Sequence, residues 1–144
     1  MGAGRRDGEA GNAPLELVLL APIVLALIGL VIAAGRTSLA QGSVQAAARD
    51  AARQASIART PQQALLAAAT SAQAELSREG LSCSPVPAVR VNVTGFGAPL
   101  GQPASVSATV TCQVPLSDLL LPGIPGSRKL RARFSSPLDP YRGR

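Results

Sequence analysis

The chain has 144 residues, a formal net charge of +6 and 47% hydrophobic residues, yet aromatics are 2% and Trp and His are absent. That length holds one modest domain. Two Cys without a His exclude a zinc site or a His-based catalytic triad within the chain. One Tyr and two Phe supply no base-stacking platform for single-stranded nucleic acid, and a core of Ala and Val buries too little area per residue for a tightly packed enzyme interior.

The N-terminal tail carries Arg5 and Arg6 and ends in Gly11-Asn12-Ala13-Pro14-Leu15-Glu16, directly before a long apolar run. A carboxylate at the mouth of a membrane helix is costly unless paired, which marks Glu16 as a functional candidate. A cut after Gly11 would make the Asn12 ammonium the new terminus and Glu16 the fifth residue. The ammonium of a neighbouring subunit, offset along a bundle, would then neutralise this carboxylate in a low-dielectric setting. The spacing equally allows a Glu16 that sits at headgroup level and only marks the helix start.

Leu17 to Ala34 reads LVLLAPIVLALIGLVIAA, without a single charge. As a helix it spans about 27 Å, close to the ~30 Å hydrocarbon core of a bilayer. Pro22 and Gly29 lie inside it, and membrane helices tolerate both. A buried core helix is the alternative, but the remaining chain is too small and Ala-rich to wrap one. A cleaved secretory signal is another, with Arg5 and Arg6 as its basic region and Ala33, Ala34 and Gly35 as its cleavage site. Against it, the apolar run exceeds the roughly 7–15 residues of such signals, and Glu16 at its start is out of place.

Charge sets orientation only weakly, because Arg5 and Arg6 precede the run while Arg36, Arg49 and Arg53 follow it. Both Cys lie in the C-terminal half, which fits one disulfide in an oxidising compartment. The expectation is a single-pass protein of the plasma membrane, N-terminus cytoplasmic and residues 37–144 extracytoplasmic.

Nothing stops the helix at Arg36. Thr37 to Ala58 is rich in Ala, Gln and Arg, so one helix from Leu15 to Ala58 is expected. Leu39, Ser43, Ala46, Ala47 and Ala51 recur at helical spacing, a small-residue stripe that a partner helix could approach closely; a solvated stalk is the alternative. Asp50 and Arg53 are placed to pair. Thr60 is a candidate N-cap with Pro61 at the first helical position. The second helix then runs to about Glu79, ends at Gly80, and shows an apolar face of Leu65, Leu66, Ala69, Ala72 and Leu76.

The period changes to two after Cys83. Val89, Val91 and Val93 alternate with polar residues, as do Val106, Ala108, Val110, Cys112 and Val114, then Leu130, Ala132 and Phe134. Gly95 to Pro103 forms the first connection, and the apolar, Pro- and Gly-rich segment from Leu119 to Gly126 the second. A three-stranded antiparallel sheet packed on the second helix is the economical arrangement. Cys83 precedes the first strand and Cys112 lies on the apolar face of the second; a bond between them would brace a thin core, and two free buried thiols are the alternative. The fold class is α+β: a long N-terminal helix, a second helix and a small sheet. The divisions are a tail (1–16), a membrane helix (17–35), a helical region (36–80) and a β domain (81–144).

The basic tail, Gly11 with Glu16 five residues on, and ELVLLAPIVLALIGLVIAAGR together resemble the TadE-like proteins of tight-adherence (Flp) pilus systems, in their actinobacterial form. AAARDAARQASIARTP, VTCQVPLSDLLLPGIPGSRKL and the SSPLDPYR close extend the resemblance over nearly the whole chain, most specifically in its first third. It implies a pilin-like (pseudopilin) membrane protein. It further implies a leader of residues 1–11 removed by a prepilin peptidase between Gly11 and Asn12, with Glu16 as the recognition and assembly carboxylate. Pro14, between the cut and Glu16, departs from the pattern.

Three function classes follow. The first is a non-enzymatic pilus component or assembly factor whose partners are the membrane, other pilin or pseudopilin subunits, the assembly platform and the prepilin peptidase. The second is a membrane-anchored binding module that never polymerises, whose basic run Arg128-Lys129-Leu130-Arg131-Ala132-Arg133 meets an anionic polymer or the membrane surface; a merely solvated strand face is the simpler account. The third is an enzyme, which the few acids of the outer domain (Asp50, Glu75, Glu79, Asp118, Asp139) and the single lysine, Lys129, do not support. No cofactor, metal, nucleic acid or small-molecule substrate is expected.

Overall fold

Helix α1 runs unbroken over Ala13–Ile57, with Pro22 inside it, a length of about 68 Å at the standard rise. The computed structural model describes residues 13–120 and 123–141, and side chains from residue 17 onward. Helix α2 occupies Pro61–Arg78. Thr60 is extended and its side chain accepts a hydrogen bond from the Gln63 amide at 3.2 Å, while Pro61 gives up an amide that had no partner to lose. At the other end Gly80 adopts φ 68°. Its amide donates to Ser77 O at 3.1 Å, and the Leu81 amide donates to Leu76 O at 2.9 Å. This is a Schellman close, with Leu81 folding back onto the core.

The two helices meet through alanine. Val44, Ala47, Ala48, Ala51, Ala52 and Ala55 of α1 are buried, and so are Ala64, Ala68, Ala72 and Leu76 of α2, one every fourth residue. Side chains this short let the backbones approach closely, since interaxial distance follows the side chains at the contact. The partner helix for the small-residue stripe is therefore α2 of the same chain, and the solvated stalk is corrected along with it. The stripe itself is displaced: Leu39 is 74% exposed, and the buried row starts at Ala40. On α2 the expected face is corrected in the same way. Ala72 and Leu76 are buried, but Leu65, Leu66 and Ala69 lie outside the seam.

Three strands follow: β1 (Ala88–Asn92), β2 (Ala104–Pro115) and β3 (Ser127–Leu138), antiparallel in the order β1-β2-β3. A one-turn 3-10 helix, Thr94–Gly97, lies in the first connection, where a side chain on Gly95 would collide with Ser105 O. A short helical turn, α3 (Leu116–Leu119), opens the second. Val106, Ala108, Val110, Cys112 and Val114 of the central strand are fully buried. Registers Val110↔Ala132, Cys112↔Leu130 and Val89↔Val110 continue that apolar face onto both neighbours. The period-two reading thus gives the correct faces, although β3 runs farther in both directions than the alternation of residues 130–134 shows.

The sheet lies chiefly on α1, not on α2 as expected; α2 reaches it mainly at β1. Gln41 Nε2 donates to Arg131 O at 3.2 Å, the Arg49 guanidinium sits 5.4 Å from the Phe134 ring centroid, and Ser136 Oγ donates to Ser56 Oγ at 3.1 Å. These contacts climb α1 and β3 together, so the two run side by side in the same direction. Asp50, expected to pair with Arg53, instead accepts a hydrogen bond from Ser71 of α2. One core results, from Ala40 to Leu138.

Ala47→Leu, three residues from Asp50 on the face that meets α2, tests the alanine seam. Overpacking it is expected to cost about 1–3 kcal/mol, read as a lower urea midpoint, whereas Leu66→Ala on the exposed side is expected to leave the midpoint nearly unchanged.

Candidate functional site

Every large apolar side chain given for α1 between Leu17 and Ile32 is exposed, the least of them, Leu20, at 49%. A helix that is apolar all round is stable only inside a large core or in lipid. None of this window is buried within the molecule, which removes the core-helix alternative. The exposed apolar surface far exceeds the few hundred Å² that soluble monomers carry. The helix is long and apolar enough to cross a membrane once.

The transition to the domain is short. The Thr37 hydroxyl donates to Ala33 O at 2.9 Å and the Ser43 hydroxyl to Leu39 O at 3.1 Å, so both polar groups are satisfied on the helix itself. Arg36 is the first charge after the apolar run, and Ala40 is the first buried core residue on α1. The same helix therefore serves as the bare segment and as a central rib of the folded domain. No proline interrupts it after Pro22.

Glu16 lies in the first turns of α1, where Pro14 is also accommodated; its side chain lies outside the described part. Gly11 and Asn12, the residues of the expected cut, lie outside the described residues. Cys83 and Cys112 are joined, with Cα atoms 5.2 Å apart across a sequence separation of 29. Cys112 is fully buried on β2. Cys83 is half-buried on the segment leading into β1, where the next amide, Ser84 N, donates to Gln113 O at 2.9 Å. The bond thus fastens the chain leaving α2 to the central strand. It does not meet Glu16: from Glu16 to Ala40, where the domain begins, the helix rises about 36 Å. The structure holds two separate features, a carboxylate at the far end of a bare helix and a disulfide inside the domain.

Several contacts that matter here have no local sequence signal. Asp50 with Ser71, Gln41 with Arg131 O and Arg49 over Phe134 each join positions far apart in the chain. Only the tertiary arrangement pairs them.

Comparison with known proteins gives one positive result: the family model described as TadE-like protein matches residues 11–53. No curated protein and no solved structure matches the chain. The matched segment opens at Gly11, contains Glu16 and the whole bare helix, and ends within the alanine seam. The likeness to TadE-like proteins is carried by this segment alone.

Leu25→Arg places a charge in the middle of the bare segment. It is expected to cost about 2.5–3.5 kcal/mol of membrane insertion, seen as release of the full chain from membranes by carbonate extraction, with the domain's thermal transition unchanged. Reducing the disulfide is expected to lower the domain's stability by about 3–4 kcal/mol in the chain-entropy picture, measured as the difference in urea unfolding with and without reductant.

Proposed function

We propose that this chain is a non-enzymatic, single-pass pseudopilin-like component, or assembly factor, of a tight-adherence pilus or related secretion apparatus. The observation that carries the reading is the bare apolar helix, continuous with the domain rib, inside a TadE-like match that begins at Gly11. The domain half of α1 is covered by α2 and the sheet except for an exposed strip through Gln45, Arg49, Arg53 and Ile57, whereas residues 17–39 are open to a neighbouring helix on nearly every side. There Ala26, Gly29 and Ala33 recur at spacings of three and four, and small residues of this kind let helices pack closely in lipid.

In this reading a prepilin peptidase cuts between Gly11 and Asn12. Glu16 then receives the new ammonium of a neighbouring subunit and sets the register of the bundle. The N-terminus is cytoplasmic. The domain is extracytoplasmic, where the Cys83–Cys112 bond persists. Partners are pilin or pseudopilin subunits and the assembly platform. The mechanism is lateral packing, without a reaction.

The intact mass of protein purified from host membranes tests this. The expected species begins at Asn12. Glu16→Ala is expected to leave the domain folded and the protein in the membrane, yet to reduce surface pili at least about tenfold through the lost ion pair. A species retaining Met1 or Gly2, together with normal piliation by the Glu16→Ala variant, would replace the pseudopilin reading with that of a membrane-anchored module. A species beginning near Gly35 would instead identify a cleaved secretory signal.

A further inference from the structure

The contacts between α1 and β3 set the domain at a definite height on the long helix. Gln41 reaches the Arg131 carbonyl, and helix and strand run in the same direction from there. The start of β3 is therefore its end nearest the bare segment. Gln41 lies about 7.5 Å along the helix from Arg36, the first charge after the apolar run. Lys129 precedes Arg131 by about 6.7 Å along the strand, which brings it near the level of Arg36. The connection between β2 and β3 ends the domain at the same level, since Asp118 and Leu119 of α3 border one groove with Arg36 and Leu39. Arg128, Lys129 and Arg131 are exposed. Lys129 and Arg131 share the open face of the sheet with Arg90, around a groove of about 430 Å³ with no carboxylate among its described lining residues. Arg133, one row farther from the bare segment, donates to Ser107 Oγ at 3.1 Å and takes no part. The acids at this end, Glu79 and Asp118, line the other groove, beside Arg36.

We propose that this end of the sheet is a second membrane contact, in which Arg128, Lys129 and Arg131 bind the phosphates of anionic phospholipids in the leaflet from which α1 emerges. Height selects the occupant. A bilayer carries roughly 5–7 Å of headgroup on each side of its ~30 Å hydrocarbon core. With Leu17 to Ala34 filling that core, the headgroup layer covers the rise from Arg36 to about Gln41, where Lys129 and Arg131 also stand. Long cationic side chains lean into such a layer while their stems stay on the protein, and guanidinium forks match phosphate oxygens. Basic residues beside a membrane draw anionic lipid toward them. Arg128 pairs with buried Val114 and so lies on the α1 side of β3, whereas Lys129 and Arg131 lie on the open side. The cations thus straddle the strand and address a plane, not one pocket. Leu39, 74% exposed at the same height, meets the acyl boundary in place of water. A soluble polyanion is a poorer fit, because the free cations of β3 gather at one end of the face and do not continue along it. The contact makes the anchor two-pointed: α1 fixes the position of the domain, and the headgroups fix its tilt. The proposal rests on α1 crossing the membrane and is independent of the pilus reading.

The test uses the full chain with its disulfide intact and a fluorophore on Ser127→Cys, beside the contact. It is inserted in vesicles that carry a trace of headgroup-quencher lipid in phosphatidylcholine, with or without phosphatidylglycerol. Quenching is expected to rise at least about twofold with phosphatidylglycerol. A fluorophore on Gln102→Cys, at the opposite end of the sheet, is expected to show no rise. Lys129→Gln combined with Arg131→Gln is expected to remove most of the rise, while Arg53→Gln with Arg59→Gln, the same charge loss at the far end of the domain, keeps it. Salt near 1 M, where the screening length is about 3 Å, is expected to abolish the rise without any charge variant having to fold. Equal quenching in both lipid mixtures, by a chain that resists carbonate extraction, overturns the contact alone. Release of the chain by carbonate overturns the membrane reading of α1 and the contact with it. Equal losses in both double variants overturn the contact. So does removal of the rise by soluble poly-glutamate at a charge concentration below that of the lipid, which would assign these cations to a soluble polyanion.

Discussion

The close contact between the alanine faces of α1 and α2 is the constraint on which the rest of the molecule depends. Two helices joined by three residues cannot bury large side chains between them without separating. Here they do not need to, because the residues beside Asp50 on the α2-facing side of α1, Ala47 and Ala51, are buried alanines, as are Ala64, Ala68 and Ala72 of α2. The area removed from water per residue is small, and hydrophobic stabilisation scales with that area. The seam therefore leans on further supports: the Thr60 cap, the Schellman close at Gly80, the Asp50–Ser71 hydrogen bond and the disulfide. The sheet adds the remaining apolar cover along the other side of the same α1 segment.

How much of this was legible in the sequence depended on whether the signal was local. The Thr60-Pro61 start, the Gly80 stop and the alternating valines of β2 are set by neighbours a few residues away, and each is plain in the local sequence. The face of α2 is not. Leu65 and Leu66 outweigh alanine on any hydropathy count, yet the seam selects by size, and a leucine would hold the helices apart. The sheet's choice of α1 over α2 has no local signal, for a related reason. It rests on Gln41, Arg49 and Ser56 meeting Arg131, Phe134 and Ser136, pairs that no periodicity joins. Of the candidate site, the apolar run and the Cys83–Cys112 pairing were visible in advance. Glu16 was visible only as an oddity of placement, since its proposed counterion would come from another molecule.

The continuity of α1 has a mechanical consequence. A flexible linker would let an anchored domain wander, but a helix entering the core at Ala40 without an intervening proline transmits the orientation of the bare segment to the sheet. Rotation of the apolar half within a bundle then turns the whole domain with it. Packing among small residues near Ala26, Gly29 and Ala33 would therefore decide which domain faces meet and which face outward. In the proposed assembly this would couple packing of the bare segment to the face the domain displays.

The open sheet face can be argued from edge protection alone, and the argument falls short. An edge strand needs defence against pairing with another chain, and charge, proline or a covering side chain provides it. Strand β3 has all three: its arginines, Pro137, and Gln41 on the Arg131 carbonyl. Edge defence, however, requires charge and not one sign of charge. Alternating Lys or Arg with Glu would protect the edge equally while replacing repulsion along the strand with attraction. It would also leave no reason for Arg90 on the opposite strand to share the groove with Lys129 and Arg131. A cluster that repels itself, on a face with no carboxylate among its lining residues, is better explained by an anion brought from outside.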